Sequence, residues 1–408
     1  MQTTVEDVKK IAPKATHEVF KTMSMNIGPQ HPATHGTLRL KVELDGETLA
    51  KIEPEIGFLH TGFEKLGEYR NYNQFVVVTD RMNYLSPLNN NIGFAIACEE
   101  LFDVKVPERG QYVRVIMAEL SRMADHVVSV GLQAMDLGAF SVMLWTFIER
   151  EKMYDIFEAV TGARLTTSWT RIGGIFRDVP ADFSKLVKDY VAKFPAVLSE
   201  IELMLNKNKI FKDRTIDVGN LTSAEAISYG LTGPMLRASG VPYDVRKSRP
   251  YLCYDKLNFD VPTRTEGDVF ARYQVRIAEM RESLKIIHQA LEQMPEGPVN
   301  SVDHKVTLPT KDMVYQDMES LIHHFKLVMP GHGLIPPKGE VYSSTETPNG
   351  ELGFYIVSDG TGQPYRVRIR PPSFYNYSSY VKQVTGRMLS DAVSCMASIN
   401  VIAGELDR

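Results

Sequence analysis

Cysteine is scarce in this 408-residue sequence, which contains only Cys98, Cys253 and Cys395. The three residues lie far apart and form no Cys-x-x-Cys pair. This pattern argues against a disulfide framework, a zinc site or an iron–sulfur cluster held by the chain itself. Free thiols fit a reducing compartment, and a chain of this length buries a large core without covalent cross-links.

Long apolar runs and a large excess of either charge are also missing. No apolar segment approaches the ~18 residues that a membrane-spanning helix needs, and the first 21 residues lack the apolar core of a secretory signal. The net charge of −4 gives no bias toward polyanions. Glycine-bearing loops at 173–174 and 230–234 fit neither the phosphate-loop nor the dinucleotide pattern. The sequence therefore predicts a chain without membrane spans and without a nucleotide motif.

Alternating apolar and charged residues predict a β-hairpin over residues 37–56. The alternation runs over residues 38–44, and an Asp-Gly pair at 45–46 supplies the tight turn. His31 and His35 lie just before this hairpin. A proline between the two histidines disfavours a helix, so both are predicted to lie on a loop.

Helical periodicity dominates the middle of the chain. Apolar residues at spacings of three and four predict helices over about 107–138, 141–160 and 183–205. A capping-box pattern at 265–268 predicts the start of another helix, which continues to about Leu291.

The C-terminal part of the sequence returns to β patterns. Asn349-Gly350 predicts a hairpin, alternation over 365–370 predicts a half-buried strand, and a helix is predicted over about 380–392. The predicted fold class is α+β: a mostly helical core, a helix bundle, flanked by small antiparallel β-sheets. The predicted segments are a tail or docking segment at 1–24, a hairpin region with the histidine loop at 25–65, a helical core at 66–330, and a β meander, helix and buried tail at 331–408.

Two histidines on one loop leave several functions open. His31 and His35 flank three residues on a segment bounded by glycine and proline, and loops on a rigid scaffold often carry function. The pair can bind a metal, act in acid–base chemistry or contact a ligand. A structural role, with hydrogen bonds to the backbone, is the commoner outcome for such residues.

Tyr84 and Asp136 are further candidates for chemistry. A phenol has a pKa near 10 and can donate a proton when its surroundings are tuned, although a buried, hydrogen-bonded tyrosine is more common. Asp136 ends an apolar helical stripe, where a carboxylate needs a partner because burial alone is costly. Capping or surface exposure is the alternative for Asp136.

Several segments, taken in their order and spacing, resemble one family. They are residues 28–36, 57–65, 80–85, 149–151, 161–164, 171–174, 230–240 and 404–408. The resemblance covers about residues 25–408. The family is that of the 49 kDa subunit, the D-type subunit of the bacterial enzyme, of the respiratory NADH–quinone oxidoreductase (complex I). This family is similar to the large subunit of nickel–iron hydrogenases.

This resemblance implies a subunit of a proton-pumping enzyme that couples electron transfer from NADH to quinone with ion translocation. The isolated chain is expected to be inactive and to bind no cofactor of its own. Quinone is the expected substrate, a partner subunit holds the terminal iron–sulfur cluster, and NADH and FMN bind elsewhere in the complex. Further expected partners are the 30 kDa-type (C-type) subunit and the membrane subunit at the quinone entrance. The expected location is peripheral, on the cytoplasmic side of the bacterial inner membrane.

The resemblance also implies roles for individual residues. His35 and Tyr84 match the side chains that hydrogen-bond the two quinone carbonyls, and Asp136 matches the acid that pairs with that histidine. Arg81 matches the arginine next to the terminal cluster. His31, on the same loop as His35, is expected to line the quinone cavity.

Comparison with the hydrogenases implies that an old metal site has lost its ligands. Hydrogenase large subunits hold nickel and iron with four cysteines in two motifs, and the matching positions here are Asn83, Ser86, Ile402 and Glu405. A nickel–iron centre cannot form without soft ligands of this kind, so the former metal cavity is expected to become the quinone pocket.

Two positions depart from the family pattern. Asn83 stands where many members have aspartate. Thr166 stands where some carry a histidine near the terminal cluster, which puts a pH-dependent cluster potential in doubt.

Two other functions compete with the quinone site. One is a catalytically silent scaffold in a related hydrogenase-like or ferredoxin-linked membrane complex. The other is a metal hydrolase that uses His31, His35 and His60, but this sequence lacks a carboxylate at a recognisable spacing from them.

Overall fold

The N-terminal sheet confirms the predicted hairpin and adds a strand to it. The computed structural model describes residues 22–34, 36–329 and 332–408. Its first sheet is antiparallel in the order β1 (Met23–Ile27), β2 (Arg39–Asp45) and β3 (Thr48–Glu55). Val42 pairs with Ile52 on one side and with Met25 on the other. The predicted alternation buries the apolar face of β2, while β1 was not predicted.

Three helices that the periodicity did not predict follow this sheet: α1 (Phe63–Tyr69), α2 (Tyr72–Thr79) and α3 (Pro87–Phe102). A capping box between Asn71 and Gln74 opens α2. Proline at the first helical position opens α3. The helical period of α3 is masked because three consecutive asparagines, 89–91, are buried along with its apolar residues.

Long helices form the core, close to their predicted bounds. They are α4 (Glu108–Asp136), α5 (Phe140–Thr161), α6 (Phe183–Asn206) and α11 (Val269–Gln293). Between α5 and α6 lies a two-stranded sheet of β4 (Thr170–Arg171) and β5 (Gly174–Ile175). The predicted apolar stripe of α4 is buried in one large cluster with side chains of α5, α6 and α11. Helix α4 is therefore the central element of the core.

The predicted capping box at 265–268 is wrong in its assignment of the cap. Asp268 itself caps α11, because its Oδ1 accepts a hydrogen bond of 2.7 Å from the Ala271 N–H. Glu266 instead accepts from the neighbouring Thr265 N–H, so the two residues lie in the loop before the helix.

Short helices connect the core to the C-terminal sheet. They are α7 (Lys209–Asp213), α8 (Ser223–Ser228), α9 (Pro234–Arg237), α10 (Val245–Ser248), α12 (Lys311–Gln316) and α13 (Met318–Val328). The second three-stranded sheet is antiparallel, in the order β6 (Gly339–Thr347), β7 (Gly350–Ser358) and β8 (Arg366–Arg370). The hairpin predicted at Asn349-Gly350 and the strand predicted over 365–370 are both confirmed.

The helix predicted over 380–392 is broken into two, α15 (Tyr380–Val384) and α16 (Leu389–Ile399). Gly386 interrupts it with a φ of 79°. The segment between the two helices is hydrogen-bonded to β3 of the N-terminal sheet. The Gly386 N–H donates to the Leu49 carbonyl, and the Leu49 N–H donates to the Arg387 carbonyl, both at 2.8 Å. Tertiary hydrogen bonding has therefore overridden the local helical pattern.

Helix α14 (Pro372–Ser378) lies between β8 and α15. The last helix of the chain is the buried α17 (Ala403–Asp407). Helices around small antiparallel sheets confirm the α+β prediction. In the described ranges, no helix combines the length and apolarity that a membrane crossing requires. The division into four segments stays a prediction, and most of the tail segment 1–24 lies outside the described residues.

Candidate functional site

Tyr84 lies in a turn at 80–86, between the end of α2 and the start of α3, and its side chain is half-buried. Asparagines fix this turn. The Asn83 Oδ1 accepts from the Leu85 N–H at 3.1 Å, and the Asn90 side chain donates to the Asn83 carbonyl at 3.0 Å. The turn thus presents Tyr84 from a well-connected piece of backbone.

Asn83 also ties the turn to the central helix. Its Nδ2 donates to Asp125 Oδ2 on α4 at 3.2 Å. Asp125 is fully buried, and burial raises its pKa. Burial, followed by the nearby Asp125 and Glu405 carboxylates, raises the pKa of the Tyr84 phenol above its usual 10. Tyr84 is therefore a protonated hydrogen-bond donor at neutral pH.

The C-terminal tail forms the other side of this site. A Cβ atom on Gly404 would lie 2.4 Å from the Arg81 carbonyl oxygen and 2.5 Å from that of Met82, so only glycine fits here. Asn400 donates from Nδ2 to Asp125 Oδ1 and to Asn349 Oδ1, both at 2.8 Å. The tail therefore packs directly on the turn that carries Tyr84.

Glu405 is the second buried carboxyl group of the site. Its Oε1 accepts from the Ser373 N–H at 3.2 Å, from the Ser373 hydroxyl and from Asn349 Nδ2 at 3.4 Å. No group in the described part of the chain hydrogen-bonds its Oε2. Burial, followed by the charge of Asp125, raises the pKa of Glu405 to about 7. Asp125 and Glu405 with the amides of Asn83, Asn349 and Asn400 are called the amide cluster below.

The sequence pointed to part of the amide cluster. Asn83 and Glu405 were singled out as replacements for hydrogenase cysteines, and the cluster links them. Asp125, Asn349 and Asn400 were missed. A local signal was the Asp-His pair at 125–126, which lies next to the apolar stripe of the predicted helix.

Arg81 is exposed beside Tyr84. Its neighbour Asp80 is buried and accepts from the Ser168 N–H at 3.0 Å and from the Ser168 hydroxyl. Burial raises the pKa of Asp80 to about 6. Because Ser168 follows Thr166 by two residues, the segment with Thr166 is fixed near the Arg81 turn.

Asp136 ends α4, as predicted, and is half-buried. It follows Asp125 by eleven residues, which places it about 16 Å farther along the helix axis. One helix therefore connects the Tyr84 turn with Asp136.

The histidine loop is described only in part. His31 is exposed, and its Nδ1 accepts from the Ala33 N–H at 3.2 Å, within a single turn of 3-10 helix at Pro32–Thr34. His31 lines a cavity of about 510 Å³ that Tyr84 and Asp136 do not line. His35 lies outside the described residues, so its distance from Tyr84 and Asp136 stays a prediction.

No metal centre is evident in the ranges that the structure covers. Among those residues, no three His, Cys, Asp or Glu side chains are grouped to hold a metal ion. His60 contacts the backbone instead, with its Nδ1 2.7 Å from the Asp407 carbonyl oxygen.

Comparisons with known proteins define the family. Residues 136–408 match the family model described as the 49 kDa subunit of the respiratory-chain NADH dehydrogenase. The D-type subunit of NADH-quinone oxidoreductase from Trichlorobacter lovleyi is 48% identical over 386 residues, which are 95% of this chain and 98% of that protein. The D-type subunit from Methylacidiphilum infernorum is 50% identical over 384 residues, 94% of this chain and 91% of that protein. A D-type subunit from Chloroflexus aurantiacus is 48% identical over 408 residues, 99% of each chain.

These matches place the chain in the class of respiratory NADH dehydrogenase subunits. Within that class, the chain belongs to the family of the 49 kDa, or D-type, subunit of NADH-quinone oxidoreductase.

Proposed function

We propose that this chain forms the quinone head-group site of an NADH–quinone oxidoreductase and couples quinone reduction to ion translocation. The observation that carries the proposal is the setting of Tyr84. Burial, followed by the nearby Asp125 and Glu405 carboxyl groups, raises the pKa of its half-buried phenol and keeps its proton in place. A donor of this kind suits a substrate whose oxygen gains negative charge during reduction.

The chemistry requires a second donor. Reduction of a quinone to a quinol takes two electrons and two protons, and the two carbonyls lie at opposite ends of the ring. Tyr84 donates to one carbonyl and His35 to the other, which polarises the ring before electrons arrive. His31 lies on the same loop and is proposed as a further lining residue of the quinone cavity, although the cavity that it lines in this structure does not include Tyr84.

Asp136 completes the second donor in this proposal. A carboxylate beside His35 favours the protonated imidazole, because opposite charges stabilise each other. When His35 gives its proton to the quinone, Asp136 loses its ionic partner. We attribute the coupling with ion translocation to this change of charge. It is tested by Asp136→Asn in the intact complex, where unchanged quinone reduction together with unchanged pumping would refute the coupling.

Electrons come from outside this chain in the proposal. The terminal iron–sulfur cluster belongs to a partner subunit, with the exposed Arg81 beside it, and NADH and FMN bind elsewhere in the complex. An exposed apolar face on α5 supports a partner here. It consists of Phe140, Leu144, Trp145 and Ile148, and it begins shortly after Asp136. The 30 kDa-type subunit and the membrane subunit at the quinone entrance are further proposed partners. This chain is proposed to be a peripheral subunit on the cytoplasmic side of the bacterial inner membrane.

The proposal is tested by Tyr84→Phe and His35→Ala in the purified intact complex. Each variant is expected to lower the rate of decylubiquinone reduction by about a hundredfold or more, as expected for loss of a proton donor. Reduction of an artificial acceptor that bypasses the quinone site should be unchanged. A scaffold without a catalytic role predicts a loss of assembly only, and full quinone reduction in both variants would refute the site.

A further inference from the structure

The central helix α4 carries a buried face of polar side chains. The face is formed by Arg122, Asp125, His126, Ser129, Gln133 and Asp136. Each of these residues lies three or four positions from another member, so they share one side of the helix. Such spacing keeps all of them within roughly a third of the helix circumference. A polar face normally points to water, yet all of these residues except Asp136 are buried.

The middle of this polar face lacks protein partners. Among the described residues, nothing hydrogen-bonds Ser129 Oγ, either polar atom of the Gln133 amide, or His126 Nδ1. Ser129 is 2% exposed and Gln133 is 1% exposed. Buried polar groups in native proteins are almost always hydrogen-bonded, and ordered water serves where protein does not. Water is the ordinary partner that would satisfy these atoms.

The spacing along the helix suits single water molecules. The helical rise separates Asp125 from Ser129, and Ser129 from Gln133, by about 6 Å each. Gln133 and Asp136 are separated by about 4.5 Å. One or two water molecules would suffice to bridge each of these gaps, because two hydrogen bonds through a water span about 5.5 Å.

The two ends of the polar face differ in their access to solvent. Asp136 is half-buried, whereas Asp125 and its neighbour Glu405 are fully buried. The charged groups near Asp125 are His126 on the same helix and Arg276 on α11, with Glu279 on α11 bound to His126 at 2.9 Å. Neither Arg276 nor His126 contacts the Asp125 carboxylate in an ion pair at 4 Å or less. No ion pair at 4 Å or less therefore fixes the Asp125 carboxylate in its charged form, and burial raises the pKa of both carboxyl groups.

We propose that the polar face of α4 binds a chain of water molecules that carries protons from Asp136 to the buried Asp125–Glu405 pair, which reprotonates Tyr84. The proposal rests on the proposed function. When Tyr84 gives its proton to the reduced quinone, the phenolate takes a proton from the Glu405 carboxyl group. The Glu405 carboxylate regains a proton from Asp125, and Asp125 regains one along the water chain, which draws it from solvent at Asp136. Only protons move in these steps.

Substitutions at Ser129 and Gln133 would interrupt the proposed water chain at its middle. Gln133→Leu removes both polar atoms at similar volume, and Ser129→Ala removes one hydroxyl with little risk to folding. In the intact complex, Gln133→Leu should lower the maximal rate of decylubiquinone reduction by about tenfold, less than loss of a direct donor. The KM should stay the same and the solvent deuterium isotope effect should rise. Ser129→Ala should change both quantities in the same direction, by less.

Ser121 supplies a matched control. It lies one turn before Asp125 on α4, is fully buried and has a hydroxyl without a partner in the described part of the chain. Ser121→Ala should match the wild-type rate and isotope effect. A structure of the complex that resolves water should show a molecule hydrogen-bonded to both Ser129 and Gln133.

The outcomes separate this inference from the proposed function. Wild-type rates and isotope effects in both Ser129→Ala and Gln133→Leu, or a dry gap between these residues, would overturn the water chain alone. Full activity of Tyr84→Phe and His35→Ala would overturn the quinone site itself.

Discussion

Two clusters of buried carboxylates lie about 9 Å apart along α4 and differ in what surrounds them. Around Glu119 the partners are arginines, and around Asp125 they are asparagine amides. Both carboxylates are fully buried. The partner, more than burial, therefore decides whether a buried carboxyl group keeps its charge or exchanges a proton.

The buried ion pairs of Glu119 and Asp244 with Arg122 and Arg246, called the arginine cluster below, keep their charges. Glu119 accepts from Arg246 at 3.0 Å and from the Tyr254 hydroxyl at 2.6 Å. Burial works against ionisation, but Arg122 and Arg246 outweigh it and lower the pKa of Glu119 to about 2. Arg246 also binds Asp244 at 2.6 Å. These groups stay ionised at every physiological pH, which suits a structural role.

The amide cluster leaves its protons exchangeable. Amides donate hydrogen bonds but bring no positive charge, so burial dominates and raises the pKa of Asp125 and of Glu405, the latter to about 7. Tyr84 lies beside this cluster and not beside the arginines. A carboxyl group that titrates near neutral pH, such as Glu405, suits proton transfer, and perturbed carboxyl groups concentrate at functional sites.

The largest effect is expected from removing a cation from the arginine cluster. Arg246→Met leaves Glu119 and Asp244 with an uncompensated buried charge, which costs about 3–5 kcal/mol. The melting temperature and the yield of the assembled complex should both fall. Arg281 is the control, because it pairs with Glu202 at the surface and Arg281→Met should cost less than about 1 kcal/mol. Equal losses in the two variants would contradict the structural role of the arginine cluster.

The second-largest effect concerns how the free energy of unfolding depends on pH, and Glu405 is its source. Folding raises its pKa from 4.5 to about 7, so the folded state binds the proton more tightly and loses stability as pH rises through this window. Glu405→Gln should remove that loss, by up to about 3 kcal/mol between pH 4.5 and pH 7. The measurement is the melting temperature of the complex at several pH values.

Glu119→Gln is the matched control for this slope. The pKa of Glu119 is lowered by folding, so its contribution is present above pH 4.5 and is lost only as pH falls toward about 2. Its variant should be less stable than the wild type by a constant amount from about pH 5 to about pH 8. A difference between Glu119→Gln and the wild type that changes with pH in that range, or a difference between Glu405→Gln and the wild type that does not, would erase the distinction between the clusters.

The smallest effect is expected at position 83, where this chain has asparagine and many family members have aspartate. Asn83→Asp replaces a hydrogen-bond donor to Asp125 with a third carboxyl group. Like charges at this distance raise the pKa of the carboxyl groups in the amide cluster. The pH profile of decylubiquinone reduction should shift to higher pH by about one unit. Asn71→Asp makes the same change at the half-buried N-cap of α2 and should leave the profile unchanged. An unshifted profile in Asn83→Asp would separate the amide cluster from the reaction.

Sequence patterns predicted the elements whose order is local. The hairpin of β2 and β3, the long helix α4 and the position of Asp136 at its end all follow from periodicity and turn residues. Helix α3 was missed because its buried asparagines conceal the apolar period. Periodicity carries no information on pairing between distant segments, so the break at Gly386 was not predicted either.

The candidate site was predictable only in part for the same reason. Tyr84 and Asp136 came from local context and family resemblance. The amide cluster joins Asp125 to Asn400 across 275 positions of sequence, and no local pattern announces such a contact. His35 stays a prediction, because it lies outside the described residues.

The most direct test of the quinone site is the infrared spectrum of a bound quinone labelled with carbon-13 at one carbonyl or at the other. In the intact complex, we predict that both carbonyl bands are shifted by hydrogen bonds. Tyr84→Phe should return one band toward its position in the free quinone, and His35→Ala should return the other. Bands that do not respond to either substitution would contradict the placement of the quinone between these two residues.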